Sequence, residues 1–491
     1  MSFIDPGTAV PGAAELGAVH FVGVGGISMS GLAAMMRARG MTVSGSDSRD
    51  SRELTALRAL GVRTTVGHTA AALDGVDTVV VTSAIRADNP ELVAARAAGL
   101  RVLPRVVALV ALMAGRRVAA VSGTHGKTTT TSMLTVALQT AGWDPSFAIG
   151  GQLTGSGANA HEGRGEVFVA EADESDGSFL LFDPDVAVVT NVEADHLDNY
   201  GSPTAYARAF DAFAGRVRPG GVLVTGGEDA GAAALAAATA SRWAGDRSGR
   251  RVVAVVPAAA GVDPGADEVV LGEVVLGPAG SRVPVSLRTP DGTRWDGTLR
   301  LRVPGRHNVA DAACALAAAV ALGADPAMVA EALSGFTGTR RRFEAKGTAA
   351  GVRVFDEYAH HPTEVAAAIA AARVVAGSGR VVAVFQPHLY SRTKIFAADF
   401  ARVLGAADEV VVMDVYGARE DPDPGVSGDL VAAAVPLAAG LVAFSRSWTA
   451  TPAVVAARVR PGDVVLTIGA GDVTMIGPEV LALLGTGAVP S

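Results

Sequence analysis

The segment Gly123-Thr124-His125-Gly126-Lys127-Thr128-Thr129-Thr130 places two glycines, a lysine and a threonine run at the spacing of a phosphate cradle. Glycines let backbone N–H groups approach an anion. Lys127 supplies a mobile positive charge for terminal phosphates, and the Thr128 hydroxyl can ligate Mg²⁺. The apolar run Val118-Ala119-Ala120-Val121 precedes the segment, and Ser132–Leu138 follows it. Strand, glycine loop and helix N-terminus therefore come in the order that binds phosphate. The strict GxxxxGK[ST] pattern is not met, because Val121 stands where its first glycine would be, so the loop is a shortened variant.

Other reactive groups gather at the ends of apolar runs. Glu171, within EADESD, ends the run Val167–Ala170, where a carboxylate is suited to hold Mg²⁺. Thr190-Asn191 and then Glu193-Ala194-Asp195-His196-Leu197-Asp198 end the next run. The carboxylates from 171 to 198 are too many to be ligands together, and strand-end placement singles out Glu171 and His196. Pro304-Gly305-Arg306-His307-Asn308 precedes an alanine-rich helix, Val309–Ala321. Either Asn308 caps that helix or His307 and Asn308 contact a base.

Near the N-terminus, Gly23-Val24-Gly25-Gly26-Ile27-Ser28 resembles GxGxxG with Ser28 in the third glycine's place, a weak signal alone. Asp47 follows the second strand, where such folds place a ribose-binding acid. The alternative is a tight turn with a solvated aspartate. Of the 9 histidines, His125, His196, His307, His360, His361 and His388 fall among these motifs, whereas His20, His68 and His161 read as structural. Asp356-Glu357-Tyr358-Ala359-His360-His361-Pro362 and Gln386-Pro387-His388-Leu389-Tyr390-Ser391-Arg392-Thr393 each lie between a strand and a helix. No carboxylate or cysteine spacing supports zinc at these histidines.

The elements that must position these groups alternate strand and helix in three segments, 1–105, 106–340 and 341–491, which argues an α/β fold of three domains with parallel sheets. In the first, Val19–Gly23, Met41–Ser44, Val76–Thr82 and Arg101–Leu103 read as strands, Gly31–Arg39 and Pro90–Ala98 as helices, and Pro104 marks the passage onward. In the second, Val186–Thr190 and Val222–Val224 continue the sheet, while 151–165 reads as a mobile loop near the site. In the third, strands Val352–Phe355, Val381–Phe385, Glu409–Met413 and Val464–Ile468 alternate with helices Pro362–Val375 and Ile395–Leu404. Glu420–Pro424 reads as a solvated loop.

The 491-residue chain carries a net charge of −8 with both signs interspersed, which argues against a nucleic-acid surface. Its single cysteine, Cys314, excludes an internal disulfide framework. No apolar stretch approaches the roughly 20 residues of a spanning helix. The opening MSFIDPGTAV lacks a basic leader, so a cytoplasmic location is expected.

In order, GVGGISMSG, SGTHGKTTTT, EADESD, TNVEADHLD, PGRHNVADA, RRRFE, DEYAHHPTEV, QPHLYSRT and GAGD make the chain resemble the Mur ligases, from about residue 19 to 472. The shortened phosphate loop is that family's form. The resemblance implies a Rossmann-like domain for a UDP-sugar, a central P-loop-type ATPase domain and a C-terminal Rossmann-like domain that closes over the site. It implies ATP-dependent amide formation through an acyl phosphate, with ATP and Mg²⁺ as cofactors. Within the family the resemblance is nearest to the alanine-adding members, so UDP-N-acetylmuramate and L-alanine are the implied substrates.

By that resemblance Gly123, Thr124, His125, Gly126, Lys127, Thr128 and Thr129 cradle the phosphates. Thr128, Glu171 and His196 serve the metal, His307 and Asn308 the adenine, and Asp356 the ribose. Arg341 reaches the phosphates, and Lys127, Glu171, His196 and Arg341 form the catalytic set. Gly25, Ser28, Ser46, Asp47, Thr82 and Ser83 belong to the UDP site, and Tyr358, His360 and Arg392 receive the amino acid. No lysine lies between Asp195 and Phe213, as in the alanine-adding members; other members carry a carbamylated lysine there. Leu389 departs from the family, standing where better-known alanine ligases have an arginine. Tyr358 and Glu364 argue against the peptide-recycling ligases.

Overall fold

The alternating runs fold into three largely parallel sheets. The structure, a computed structural model, describes residues 5, 7–82, 84–260, 268–288, 292–418 and 420–486. Ser83, expected at the UDP site, lies outside the described residues.

The first sheet has five parallel strands in the order Arg63–Val66, Val43–Asp47, Val19–Val22, Thr78–Val81, Arg101–Pro104. Its chain direction across the sheet reverses beside Val19–Val22, and such a switch point opens a crevice for a ligand. The glycine run leaves the sheet there. The helix begins at Ile27, four residues before the expected Gly31, because Gly26 is already an extended N-cap; Ser28 therefore lies in the first helical turn.

The seven parallel strands of the eleven-stranded central sheet run Glu268–Leu271, Arg251–Pro257, Val222–Gly226, Val186–Val189, Arg117–Ser122, Val167–Glu171, Ser146–Ala148. Arg117–Ser122 lies between the strands that end in Val189 and Glu171, so the motifs that follow all three emerge at one edge. The third sheet orders Glu344–Ala349, Val352–Glu357, Val464–Ile468, Val381–Phe385, Glu409–Met413, Val442–Ser445, with only the first strand antiparallel.

The chain divides into two compact units. One holds Met1–Glu273, Pro284–Leu299 and Ala310–Leu333, with the first sheet and the seven parallel strands of the second; the other holds Val274–Val283, Arg300–Val309 and Ser334–Ser491. Pro104 is not a free linker: it ends a strand and runs directly into the helix Arg105–Met113. Seven of that helix's nine residues are buried, and they share one core with Phe168, Phe179 and Phe213 of the central sheet region. An apolar helix covered on nearly every side needs two layers to pack against, and here the two sheets provide them.

Residues 151–165 also differ from expectation, because they are tied down. Arg116 donates to the carbonyls of Gly163 (3.1 Å) and Gly165 (2.6 Å) and pairs with Glu162 at 2.5 Å. Arg39 meets the same Glu162 at 2.9 Å, and Asn159 donates to the Ile27 carbonyl at 3.0 Å. Arg116→Ala leaves Glu162 with Arg39 alone and two carbonyls without their donor, so it should lower stability by about 1–3 kcal/mol and expose 151–165 to proteolysis. Denaturant melts with limited proteolysis check this; cleavage unchanged at that segment counts against the clamp.

Candidate functional site

The phosphate loop is shaped by the strand end beside it. Gly123 has φ +131, and a Cβ there would lie 2.0 Å from the Thr190 hydroxyl. Gly126 has φ +80, caps the helix Lys127–Thr140, and would bring a Cβ within 2.4 Å of Asp311 Oδ1. Both positions demand glycine on conformation and on space. The His125 N–H donates to Asn191 Oδ1 (2.8 Å), while Thr190 Oγ1 (2.5 Å) and Asn191 Nδ2 (2.9 Å) donate to the His125 carbonyl. Thr124 Oγ1 accepts from the Glu193 N–H at 3.0 Å and lies 3.0 Å from the Tyr206 hydroxyl. The His125 ring meets Glu193 at 2.9 Å.

Thr128 Oγ1 donates to Glu171 Oε1 at 3.1 Å, and Glu171 Oε2 accepts from the Gly150 N–H at 2.8 Å. A Cβ on Gly150 would lie 2.5 Å from Glu171 Oε1, so the close approach needs glycine. Two oxygens bound side by side to Mg²⁺ at about 2.0–2.1 Å stand about 3 Å apart. The Thr128–Glu171 pair has that separation, and both are hard oxygen donors beside a phosphate loop. These residues fit a magnesium ion.

His196 lies beside two further carboxylates. It has φ +52, begins the short helix Leu197–Tyr200, and lies 3.6 Å from Asp195 and 3.8 Å from Glu174. Glu174 is fully buried and went unnoticed in sequence, lost among neighbouring carboxylates. It meets Lys127 Nζ at 2.8 Å. Burial, reinforced by Asp173, pushes the Glu174 carboxyl up to about 7 against the pull of Lys127. Burial also works against the Lys127 charge, but Glu174, Asp173 and Glu171 together hold the ammonium above its ordinary value.

At the first sheet, Gly25 and Asp47 come together: the Gly25 N–H donates to Asp47 Oδ2 at 2.9 Å, and a Cβ on Gly25 would strike that oxygen. Asp47 thus shapes the glycine turn. Ser28 stands at the start of the same helix, and the Thr82 hydroxyl accepts from the Ala84 N–H at 3.3 Å. Ser46 needs correcting as a ligand contact. Its hydroxyl is wholly buried, donates to Glu91 at 2.5 Å and lies 2.9 Å from His68, so it faces the core. Alternation along a strand puts neighbouring side chains on opposite faces, and Asp47 takes the outer one. His20 belongs to the same buried network, 2.9 Å from Ser44 and 3.5 Å from Glu91, as a structural histidine.

The second unit carries its own cluster. Tyr358, His360, His388 and Tyr416 form a chain of rings, with centroid separations of 5.6, 6.3 and 5.9 Å. Arg341 and Arg342 lie over the Tyr358 ring at 4.8 and 5.1 Å. Leu389 takes φ +69, unfavourable for any residue with a Cβ, and opens the helix Tyr390–Leu404, which carries Arg392 in its first turn. Glu420 is no free loop acid, since it accepts from the Ser391 N–H at 3.0 Å in that same turn.

Two expected nucleotide contacts are committed within this unit. Asp356 is fully buried, with Thr467 (2.7 Å) and Thr474 (2.6 Å) donating to its two oxygens, so no ribose hydroxyl meets it as it stands. Arg341 donates to the carbonyls of Gly469 (2.7 Å) and Gly471 (2.9 Å) and lies 3.5 Å from Asp356. Its guanidinium is directed at its own sheet edge and not outward. Asn308 is not an N-cap, because the helix starts earlier, at Arg306, after Gly305 turns at φ +105. Asn308 Nδ2 donates instead to the Pro304 carbonyl at 2.5 Å, and His307 is exposed beside it. Glu357, missed in sequence, is buried 3.9 Å from Arg342 and accepts from the N–H groups of Phe343 and Ala359.

Three family models cover these same stretches: "Mur ligase family, catalytic domain" over residues 18–117, "Mur ligase middle domain" over 121–319, and "Mur ligase, glutamate ligase domain" over 341–471. The chain belongs to the Mur ligase family, whose members are ATP-dependent. It is 57% identical over 470 residues to the UDP-N-acetylmuramate–L-alanine ligase of Nocardioides sp., covering 96% of this chain and 97% of that one. The ligase of the same name from Kineococcus radiotolerans is 58% identical over 483 residues, with 97% and 98% covered. Among solved structures, the UDP-N-acetylmuramate-alanine ligase of Thermotoga maritima matches with a TM-score of 0.77 at 30% identity, covering 96% of this chain and 99% of that one. A murein peptide ligase from Psychrobacter arcticus matches at 0.68 and 25% identity, covering 95% and 98%.

Burial, aided by Glu364 and opposed by Arg342, pushes the Glu357 carboxyl from 4.5 up to about 7. Between those values the folded protein keeps a proton that the unfolded chain has released. The stability this group contributes is full below about pH 4.5 and is lost as pH rises to about 7. Replacing Glu357 by Gln should flatten that part of the pH profile of the unfolding midpoint; an unchanged slope would place the titration elsewhere.

Proposed function

We propose that this protein joins L-alanine to the lactyl carboxylate of UDP-N-acetylmuramate at the expense of ATP, an early step in peptidoglycan assembly, in the cytoplasm. The observation that carries this reading is the meeting, at one sheet edge, of a lysine-bearing phosphate loop with the Thr128–Glu171 oxygen pair. The substrates follow from the relatives above, which align over nearly the whole chain. No helix among the described residues is long and apolar enough to cross a membrane, in keeping with substrates that are soluble.

A carboxylate is a poor acyl donor until one oxygen becomes a leaving group, and transfer of the γ-phosphoryl group makes it one. The amine of alanine then attacks the acyl carbon, and inorganic phosphate departs. Bringing a carboxylate to a polyphosphate requires cationic screening. Lys127 supplies it from the loop, and the loop N–H groups at the helix start bind phosphate oxygens. Mg²⁺, held by Thr128 and Glu171, would neutralise charge on the phosphates. His196 stands at the same edge and is assigned to the metal or the transferred group.

The UDP moiety is assigned to the crevice beside Gly25, Ser28, Asp47, Thr82 and Ser83, with Ser46 supporting it from inside. The amino acid is assigned to Tyr358, His360 and Arg392, where a guanidinium can pair with its carboxylate. His307 and Asn308 are assigned to the adenine. For Arg341 and Asp356 the assignment changes: their mutual contact orders the edge around Gly469 and Gly471.

The test is phosphate release from ATP with UDP-N-acetylmuramate and a panel of L-alanine, glycine, L-serine and tripeptide. Release with L-alanine is expected; release with tripeptide alone would make the protein a recycling ligase. Lys127→Ala should lower turnover by about 10³-fold or more while UDP-sugar binding persists. Loss of both would contradict the assignment of the two substrates to separate sheets.

A further inference from the structure

Lysine has three N–H donors, and in Lys127 all three are directed back into the protein. Nζ lies 2.7 Å from the Gly123 carbonyl, 3.1 Å from the Thr124 carbonyl, and 2.8 and 3.0 Å from the two oxygens of Glu174. None is left for a phosphate. The loop as it stands is shaped for an anion while its principal cation is withdrawn.

Glu174 is fixed from behind. Its carbonyl accepts from the Gly177 N–H at 3.1 Å and from the Tyr200 hydroxyl, and the Tyr206 hydroxyl reaches its Oε1 at 3.4 Å. The carboxylate has no exposed surface, so water cannot replace Lys127 as its partner. A buried carboxylate deprived of its counter-charge is costly. Besides Lys127, the His196 imidazole stands beside it, 3.8 Å away.

We propose that Glu174 is a positioning residue for the reaction: it holds Lys127 withdrawn, and nucleotide binding exchanges that carboxylate for a phosphate oxygen. When the ammonium swings outward, the His196 imidazole is left beside the Glu174 carboxylate. One buried carboxylate thereby links the lysine that screens the phosphates to the histidine at the same edge. Glu174 competes with nucleotide for Lys127, so it weakens nucleotide binding while setting the geometry that turnover needs. The proposal rests on the ATP-dependent reading of the same site.

Glu174→Gln keeps the shape and removes the charge, and Glu174→Asp keeps the charge on a shorter arm. The readouts are the Kd of MgADP by calorimetry, kcat and KM for ATP, and labelling of Lys127 by an amine-reactive reagent with mass spectrometry. With only three lysines in the chain, Lys127, Lys346 and Lys394, the label is readily assigned. In Glu174→Gln, MgADP should bind about five- to tenfold tighter, since a charge-assisted bond no longer competes. Labelling of free Lys127 should rise and kcat should fall, with no increase in KM. Glu174→Asp should return Kd and labelling toward the wild type.

Nucleotide bound more weakly in both variants, in step with a lowered melting temperature, would reduce Glu174 to a structural role and overturn the proposal. Unchanged Kd and labelling would overturn it equally. If Glu174→Gln does not fold, the turnover of Glu174→Asp decides: a lowered kcat with unaltered melting supports the proposal, and wild-type kcat sinks it. An unmodified enzyme that releases no phosphate from ATP would refute the ligase reading, while MgADP binding and labelling still judge Glu174.

Discussion

The phosphate loop holds its shape because the next strand's end reaches across to it. Thr190, Asn191 and the Glu193 backbone supply the partners for Thr124 and His125, both sides of the His125 peptide included. A glycine-rich loop pays heavily in conformational entropy to adopt one form. Here that form is imposed from outside by a strand whose own register is fixed in the middle of a seven-strand parallel run. The helix Lys127–Thr140 starts where this bonding ends, so its N-terminus is aimed by the sheet.

The same edge shows how carboxylates of one type take different tasks. Glu171 stands partly open, with one oxygen on Thr128 and the other on a backbone N–H. Glu174 is sealed, and its charge is answered by Lys127. Three residues of separation, spanning the end of a strand and the start of a turn, move a carboxyl from a partly solvated setting to a low-dielectric one. In the second unit two adjacent carboxylates are both buried but partnered differently, Asp356 by two hydroxyls and Glu357 beside Arg342.

Much of this was legible in sequence because strands in parallel sheets are short apolar runs with their reactive groups at one end. Val381–Phe385, Glu409–Met413 and Val464–Ile468 were read without error, each bounded by glycine, proline or charge. The strand-end placement of the phosphate loop, Glu171 and Asp47 followed from the same logic, whereas the bond from the Gly25 N–H to Asp47 did not. What escaped detection depends on depth. Ser46 and Asp47 are adjacent, yet the strand's alternation sends one inward to Glu91, a partner 45 residues away. Arg341, Arg342, Asp356 and Glu357 could not be told apart by spacing, because pairing across the third sheet decides which of them face its interior. Segment 151–165 looked free for want of apolar residues, but its anchors are arginines outside it.

The helix Arg105–Met113 has a consequence for how the first unit can move. Because its apolar residues fill a core common to two sheets, the strand end at Pro104 has no slack in which to bend. Arg39 adds to this, donating to the Leu112 carbonyl on one side and pairing with Glu162 on the other. The helix that opens at the Gly25 turn is tied to the segment 151–165 through Arg39 and Asn159, and Gly150 beside that segment holds Glu171. The first two sheets of this unit thus share one packed core and one set of arginine anchors.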